Sequence, residues 1–132
     1  MRHIKYQSIR IQVAGAGTMI NFSADTDKLY EKITGISLEL PYEANLFGSQ
    51  IGINIAGVEL FPENYEAKRL CASQDVSPNE RFYQGTKENP LFDDAHGNQV
   101  SGKFTDGGNA ALVAFPYTAI LTLRLENIDK KE

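Results

Sequence analysis

Ser49–Pro62 reads SQIGINIAGVELFP, and its spacing decides the fold class. Ile51, Ile53 and Ile55 alternate with Gly52 and Asn54, and after Ala56-Gly57 the pair Val58 and Leu60 alternates around Glu59. A period of two belongs to a strand, whose successive side chains point to opposite faces. With Ala56-Gly57 as a two-residue turn, Ile55 faces Val58 and Ile53 faces Leu60. Ile51, Ile53, Ile55, Val58 and Leu60 then share one apolar face, with Asn54 and Glu59 on the other. A slip of one residue would scatter this set, so the pattern specifies its own pairing. Gly57 supplies the positive φ of a tight hairpin. Pro62 has no amide hydrogen for a ladder and ends the second strand.

The same period recurs on both sides of the hairpin. Ile9, Ile11 and Val13 alternate with Arg10 and Gln12, while Ile4 and Tyr6 run one residue out of phase, so a bulge near Gln7-Ser8 is expected. Ala14 to Gly17 reads as a turn, Met19–Ser23 as a short strand, and Ala24 to Asp27 as its break. Lys28 to Leu40 reads as a bent strand with an extended lead-in. Ile36, Leu38 and Leu40 alternate there, and Gly35 marks a bulge where the phase shifts against Ile33. Pro41 to Gly48 is a loop. Asn64 to Ala72 holds about two turns of helix formers, too few to persist without packing. Ser73 to Glu80 is rich in turn formers, and Arg81–Gln84 reads as a short strand. Gly85 to Asn98 reads as a surface excursion and Val100–Phe104 as a strand. Asp106 to Asn109 is a turn, and Ala110–Tyr117 is an apolar strand interrupted by Pro116. In the last strand Leu121, Leu123 and Leu125 alternate with Thr122, Arg124 and Glu126. Asn127 to Glu132 reads as a mobile charged tail.

About eight short strands, separated by Gly, Pro, Asn and Asp and with no long helical period, specify an all-β protein. Residues 1–132 form one domain, and eight antiparallel strands in two sheets predict a single jelly-roll β-sandwich. An immunoglobulin-like sandwich competes, but its Cys-Trp-Cys core cannot be built from one cysteine and no tryptophan.

Composition limits the function. A net charge of -4 disfavours direct nucleic-acid binding, which needs clustered Lys and Arg. Cys71 is the only cysteine, so no internal disulfide and no cysteine metal site is available. No apolar run approaches the roughly 20 residues that span a bilayer. The start, MRHIKYQSIRIQ, has no uninterrupted apolar core, and synthesis inside the cell is the expectation.

Several residues carry chemistry in principle. Asp25 with Asp27, and Asp93-Asp94 with His96, offer oxygen and imidazole ligands, but neither set has the spacing of a calcium loop. Both read more simply as solvated turns. His3 and His96 are the only histidines. No Gly-x-Ser-x-Gly elbow accompanies them, and Cys71 between Leu70 and Ala72 reads as a buried, inert thiol. Gly15 and Gly17 lack the third glycine of a dinucleotide loop and the Gly-Lys-Ser/Thr of a P-loop. Nothing singles out two of the 17 acidic residues as a glycosidase pair. A cupin-type enzyme would need more histidine ligands than His3 and His96 supply. Tyr65, Phe82, Tyr83 and Phe92 could stack on a sugar, although core packing and loop anchoring explain them equally well. The expectation is a protein that is not an enzyme, with no catalytic, metal or cofactor residues.

The runs TDKLYEKITGISLELP, SQIGINIAGVELFPENYEAKRL and VSPNERFYQ, within about residues 20–84, resemble the small jelly-roll vertex (penton) and minor capsid proteins of icosahedral, tailless, membrane-containing bacteriophages. The resemblance is one of layout and phrase over about half the chain. It implies a structural virion protein, made in the host cytoplasm and built into the capsid shell near an internal membrane. Its expected partners are copies of itself in a fivefold ring, major capsid subunits, and a spike protein that it can carry. No catalytic residue transfers from that group. A carbohydrate-binding or adhesion β-sandwich module is the alternative expectation.

Overall fold

The computed structural model describes residues 4–41, 48–62, 65–71, 82–84, 88, 90–91, 93–108 and 113–127. Its strands are β1 (Ile4–Val13), β2 (Met19–Asp25), β3 (Lys32–Glu39), β4 (Gln50–Ile55), β5 (Val58–Phe61), β6 (Asp93–Asp94), β7 (Gln99–Thr105) and β8 (Tyr117–Glu126). They form two four-stranded sheets, in the orders β1-β8-β3-β6 and β2-β7-β4-β5. Every pairing is antiparallel. From β1 to β8 the chain changes sheets at every connection except β4 to β5. This wiring is a jelly roll, as the strand count predicts.

β8 is the inner strand on which the first sheet is built. Along it every second residue, from Tyr117 to Leu125, is buried. Ile9, Ile11 and Val13 of β1 lie opposite Leu121, Ala119 and Tyr117, while Ile33, Ile36 and Leu38 of β3 lie opposite Leu125, Leu123 and Leu121. Burying one such side chain is worth about 2 kcal/mol. A one-residue slip of β8 would expose three leucines and bury Thr122 and Arg124, a loss comparable with a typical domain's whole stability. The strand begins at Tyr117, not Leu121, so Tyr117 belongs to β8 and not to a preceding apolar strand. Pro116 sets that boundary, because it has no amide to pair. Residues 110–112 of that expected strand lie outside the described residues.

The β4–β5 hairpin turns at Ala56-Gly57, with Ile55 opposite Val58 and Asn54 opposite Glu59. Beyond that pair the register shifts, and Ile53 pairs with Phe61 in place of Leu60. The bulge carries the Phe61 ring into the core, against Tyr65 (ring centroids 4.4 Å apart) and Tyr83 (5.0 Å). An aromatic ring buries more surface than a leucine, which favours the shifted register. Ile51, Ile53 and Ile55 are buried as expected, but Leu60 is half-buried and Val58 is 69% exposed on the edge strand. Ala56 and Gly57 have φ of 53° and 83°, the left-handed pair of a type I′ turn. A residue with a Cβ is strained there, and asparagine tolerates the conformation best. Ala56→Asn is therefore expected to stabilise the protein by about 1 kcal/mol, raising Tm by roughly 4 °C in a thermal melt. An unchanged or lower Tm would contradict the turn assignment.

β1 contains no bulge. Its register with β8 is unbroken from Ile4 to Val13, so Ile4 and Tyr6 point to the outer face, 36% and 50% exposed. The phase change expected near Gln7-Ser8 is a change of partner, because Tyr6 lies 5.5 Å (ring centroids) from Phe82 on that outer face. The bulge expected at Gly35 is present, as a register shift between Ile33 and Gly35. A Cβ there would come within 3.0 Å of Phe82 and 3.3 Å of Arg124, so glycine permits the approach. The Arg124 guanidinium lies 5.6 Å from the Phe82 ring centroid and donates to the Thr34 hydroxyl and carbonyl.

Four further expectations are revised. β2 runs through Ala24 to Asp25, because both pair with β7. The expected strand at Arg81–Gln84 is a single bridge, Tyr83 to Ile36, with Arg81 outside the described residues. The helix expected over 64–72 is a short 3-10 helix, Ala67–Leu70, with residues 64 and 72 outside the described set. Part of the excursion over 85–98 is structural: Asp93 and Asp94 pair with Ile33 and Lys32, and Leu91 and Ala95 are buried. The loop expected at 42–47, all of 73–80 and the tail from 128 lie outside the described residues.

One end of the sandwich is tied together by Asp106, which is 4% exposed. Its carboxylate accepts hydrogen bonds from the Tyr117 hydroxyl and from the amides of Gly17 and Gly108, both 2.9 Å. Its own amide donates to the Thr18 carbonyl, and the neighbouring Gly107 amide donates to the Ser49 hydroxyl. The β1–β2 turn, the turn after β7 and the start of β8 thus meet at one side chain, and the residue before β4 joins them through the Gly107 amide.

Candidate functional site

The outer face of the β2-β7-β4-β5 sheet is polar and concave. Register places its side chains in two rows that cross the strands. Ser23, Ser101, Asn54 and Glu59 form the longer row, one from each of β2, β7, β4 and β5. Asn21, Lys103 and Gly52 form the next row. The alternation that buries Phe22, Ile51, Ile53, Val100 and Phe104 turns these polar neighbours outward. Ser23, Ser101 and Gly52 keep part of the face low, whereas Asn21, Asn54, Glu59 and Lys103 are longer and stand beside them. The result is an open depression of about 370 Å3, lined by both rows and reached from beneath by Phe22, Phe61 and Gly102. That volume falls in the range of small-ligand sites.

The residues with expected chemistry lie elsewhere. Asp27 accepts from the Lys5 ammonium at 2.6 Å and from the Leu29 amide at 2.9 Å, and these two bonds, Lys5 first, hold its carboxyl below the ordinary range. The Asp25 carbonyl accepts from Gln7, and its side chain is exposed. Asp94 pairs with Lys32 at 2.6 Å, which likewise lowers its pKa. His96, with φ 47°, precedes Gly97 in the turn closed by the Asn98 amide on the Ala95 carbonyl. It is a backbone device at a position where histidine is tolerated. Among the described residues no three His, Cys, Asp or Glu side chains gather as a metal site. Cys71 follows the 3-10 helix, whose approach pairs Glu66 with the start of β4 at Gln50, whereas His96 sits at the opposite end, beside Tyr30 and the start of β7. The two are not brought together. Burial, then Glu39, pushes the Cys71 thiol up to about 11, so it is protonated at neutral pH.

The aromatic candidates are also dispersed. Tyr65 and Tyr83 pack against Phe61, while Phe82 lies on the outer face of the other sheet. Phe92 and His3 lie outside the described residues. The turn at Gly15 to Gly17 is closed by the Thr18 amide and hydroxyl on the Gly15 carbonyl. Among the described residues no helix is long and apolar enough to cross a membrane.

Sequence reasoning placed Asn54 and Glu59 on an outward face but did not find the depression. Its members come from four strands, and only the pairing register puts them in rows. Comparison of the chain with protein-family models, with characterised proteins and with solved structures found no match.

Proposed function

We propose that this chain is a structural protein that acts by assembly, a jelly-roll capsid component placed at the vertices of an icosahedral shell. The observation that carries the reading is the strand wiring, β1-β8-β3-β6 against β2-β7-β4-β5, an arrangement that viral capsid proteins share with lectins and cupins. The distribution of exposed apolar side chains supports it. Among the described residues, the exposed large hydrophobics Ile4, Tyr6, Leu29 and Val58 lie toward one end of the sandwich, and Met19 lies toward the other. An end with that character, next to the edge strands β1 and β5, suits a heterologous interface that closes by rotation into a ring. The proposed partners are further copies of the chain in a fivefold ring and the larger shell subunits around it, with a spike seated on the ring.

Light scattering on the purified chain, followed by electron microscopy, tests this. A closed ring of five is the expected result. Leu29→Glu and Val58→Lys, both at solvent-exposed side chains, are expected to disperse the ring with less than about 0.5 kcal/mol lost from the monomer's stability. A chain that stays monomeric at high concentration, and also when mixed with shell subunits, would overturn the proposal.

A further inference from the structure

We propose that the depression on the outer face of the β2-β7-β4-β5 sheet is a saccharide-binding site. This inference goes beyond assembly and does not depend on it. The longer row of lining side chains spans three inter-strand gaps, about 14 Å, and the second row lies about 7 Å along the strands. That footprint suits an extended, multi-ring ligand better than a compact ion. Two amides (Asn21, Asn54), two hydroxyls (Ser23, Ser101), one carboxylate (Glu59) and one ammonium (Lys103) line it. Donors and acceptors are therefore mixed across the surface, and sugar hydroxyls can satisfy both.

The charge pattern excludes the main competitors. One lysine facing one glutamate in the same depression gives no net positive field, which disfavours phosphate and nucleic acid. A single carboxylate is a poor divalent-cation site, since such ions take six or more oxygen ligands. Apolar ligands find no exposed ring there, because Phe22 and Phe61 are 8% and 5% exposed. Gly52 leaves backbone at the floor, which allows close approach of a ring. The binding is held by hydrogen bonds in place of aromatic stacking, and the exposed Tyr6 belongs to the opposite sheet.

The test is a glycan array carrying neutral and acidic oligosaccharides, probed with the full chain, followed by titration of the strongest binder. The neutral oligosaccharides are expected to bind, with backbone amide shifts concentrated at Asn54, Ser101 and Lys103 in nuclear magnetic resonance spectra. Ser101→Tyr fills the depression from an outward-facing strand position that favours tyrosine, and Asn54→Ala removes an amide. Each is expected to weaken binding about tenfold or more, or about 1.4 kcal/mol. Arg10→Ala, on the outer face of the other sheet, is expected to leave it unchanged. An array without a binder, binding that survives Ser101→Tyr, shifts that map to the other sheet, or selective capture of a β-strand peptide in place of a sugar would each overturn the proposal.

Discussion

Asp106→Ala is expected to lower the stability of the fold by about 3 kcal/mol and Tm by roughly 12 °C. The carboxylate is buried and serves three donors: the Tyr117 hydroxyl and the amides of Gly17 and Gly108. Removing it leaves all three short of a partner, and an unpaired buried donor costs more than the hydrogen bond itself contributes. Asp106→Asn keeps the shape but gives up the charge, and about 1–2 kcal/mol is the expected loss. Tyr117→Phe removes one donor, so the double variant with Asp106→Ala should lose less than the sum of the two single changes. Chemical denaturation measures all four proteins, and a loss below about 0.5 kcal/mol for Asp106→Ala would refute the role assigned to this side chain.

The same residue shapes the acid limb of the stability curve. Burial pushes the Asp106 carboxyl up, but the Tyr117 hydroxyl and the amides of Gly17, Gly108 and Gly107 outweigh that and hold it below the ordinary range. Burial is the largest single influence, and only the donors acting together exceed it. Burial and then Asp106 push the Tyr117 phenol far up, so it remains the donor at all ordinary pH. A depressed carboxyl contributes stability that is fully present above its unfolded pKa, about 3.9, and is lost as the pH falls through the lower folded value. Melts between about pH 5 and pH 2 should therefore show Tm falling more steeply in the parent than in Asp106→Asn. Equal slopes would contradict the shift.

Gly102→Ala is expected to cost at least about 3 kcal/mol. A Cβ at this position would overlap the Gly52 carbonyl oxygen and lie 2.8 Å from the tip of the Phe22 ring. The ring could swing aside, but the carbonyl belongs to the backbone of β4 and moves only if the sheet moves. Phe22→Leu is accordingly not expected to rescue Gly102→Ala. Ser101→Ala, one residue away and facing outward, should fall within about 0.5 kcal/mol of the parent. A Gly102→Ala protein as stable as the parent would show that β7 and β4 are less closely apposed than the structure places them.

Where a pattern depended on neighbours in the chain, reading it sufficed. The Ala56-Gly57 turn, the Gly35 bulge and the leucine alternation of β8 all follow from periodicity that covalent geometry imposes within a few residues. The phase of Ile4 and Tyr6 misled, because an outward-facing aromatic with a partner such as Phe82 looks the same in sequence as an inward-facing one across a bulge. Leu60 misled for a related reason: the bulge that brings Phe61 inward depends on Tyr65 and Tyr83 waiting in the core. Asp106 read as a turn former, which it is, but its burial depends on Tyr117, 11 residues on, and on Gly17, 89 residues back.

The amino-acid sequence by itself determined that this protein is an all-β sandwich, and it located the hairpin at Ser49–Pro62. Those features are local, set by side-chain alternation and by residues that permit or forbid particular φ values. Only the tertiary structure decided which strands are neighbours, and therefore that Asn21, Ser23, Asn54, Glu59, Ser101 and Lys103 share one depression. Hydrogen-bond register between strands distant in sequence is fixed by burial summed over the whole core, and no stretch of the chain carries that sum alone.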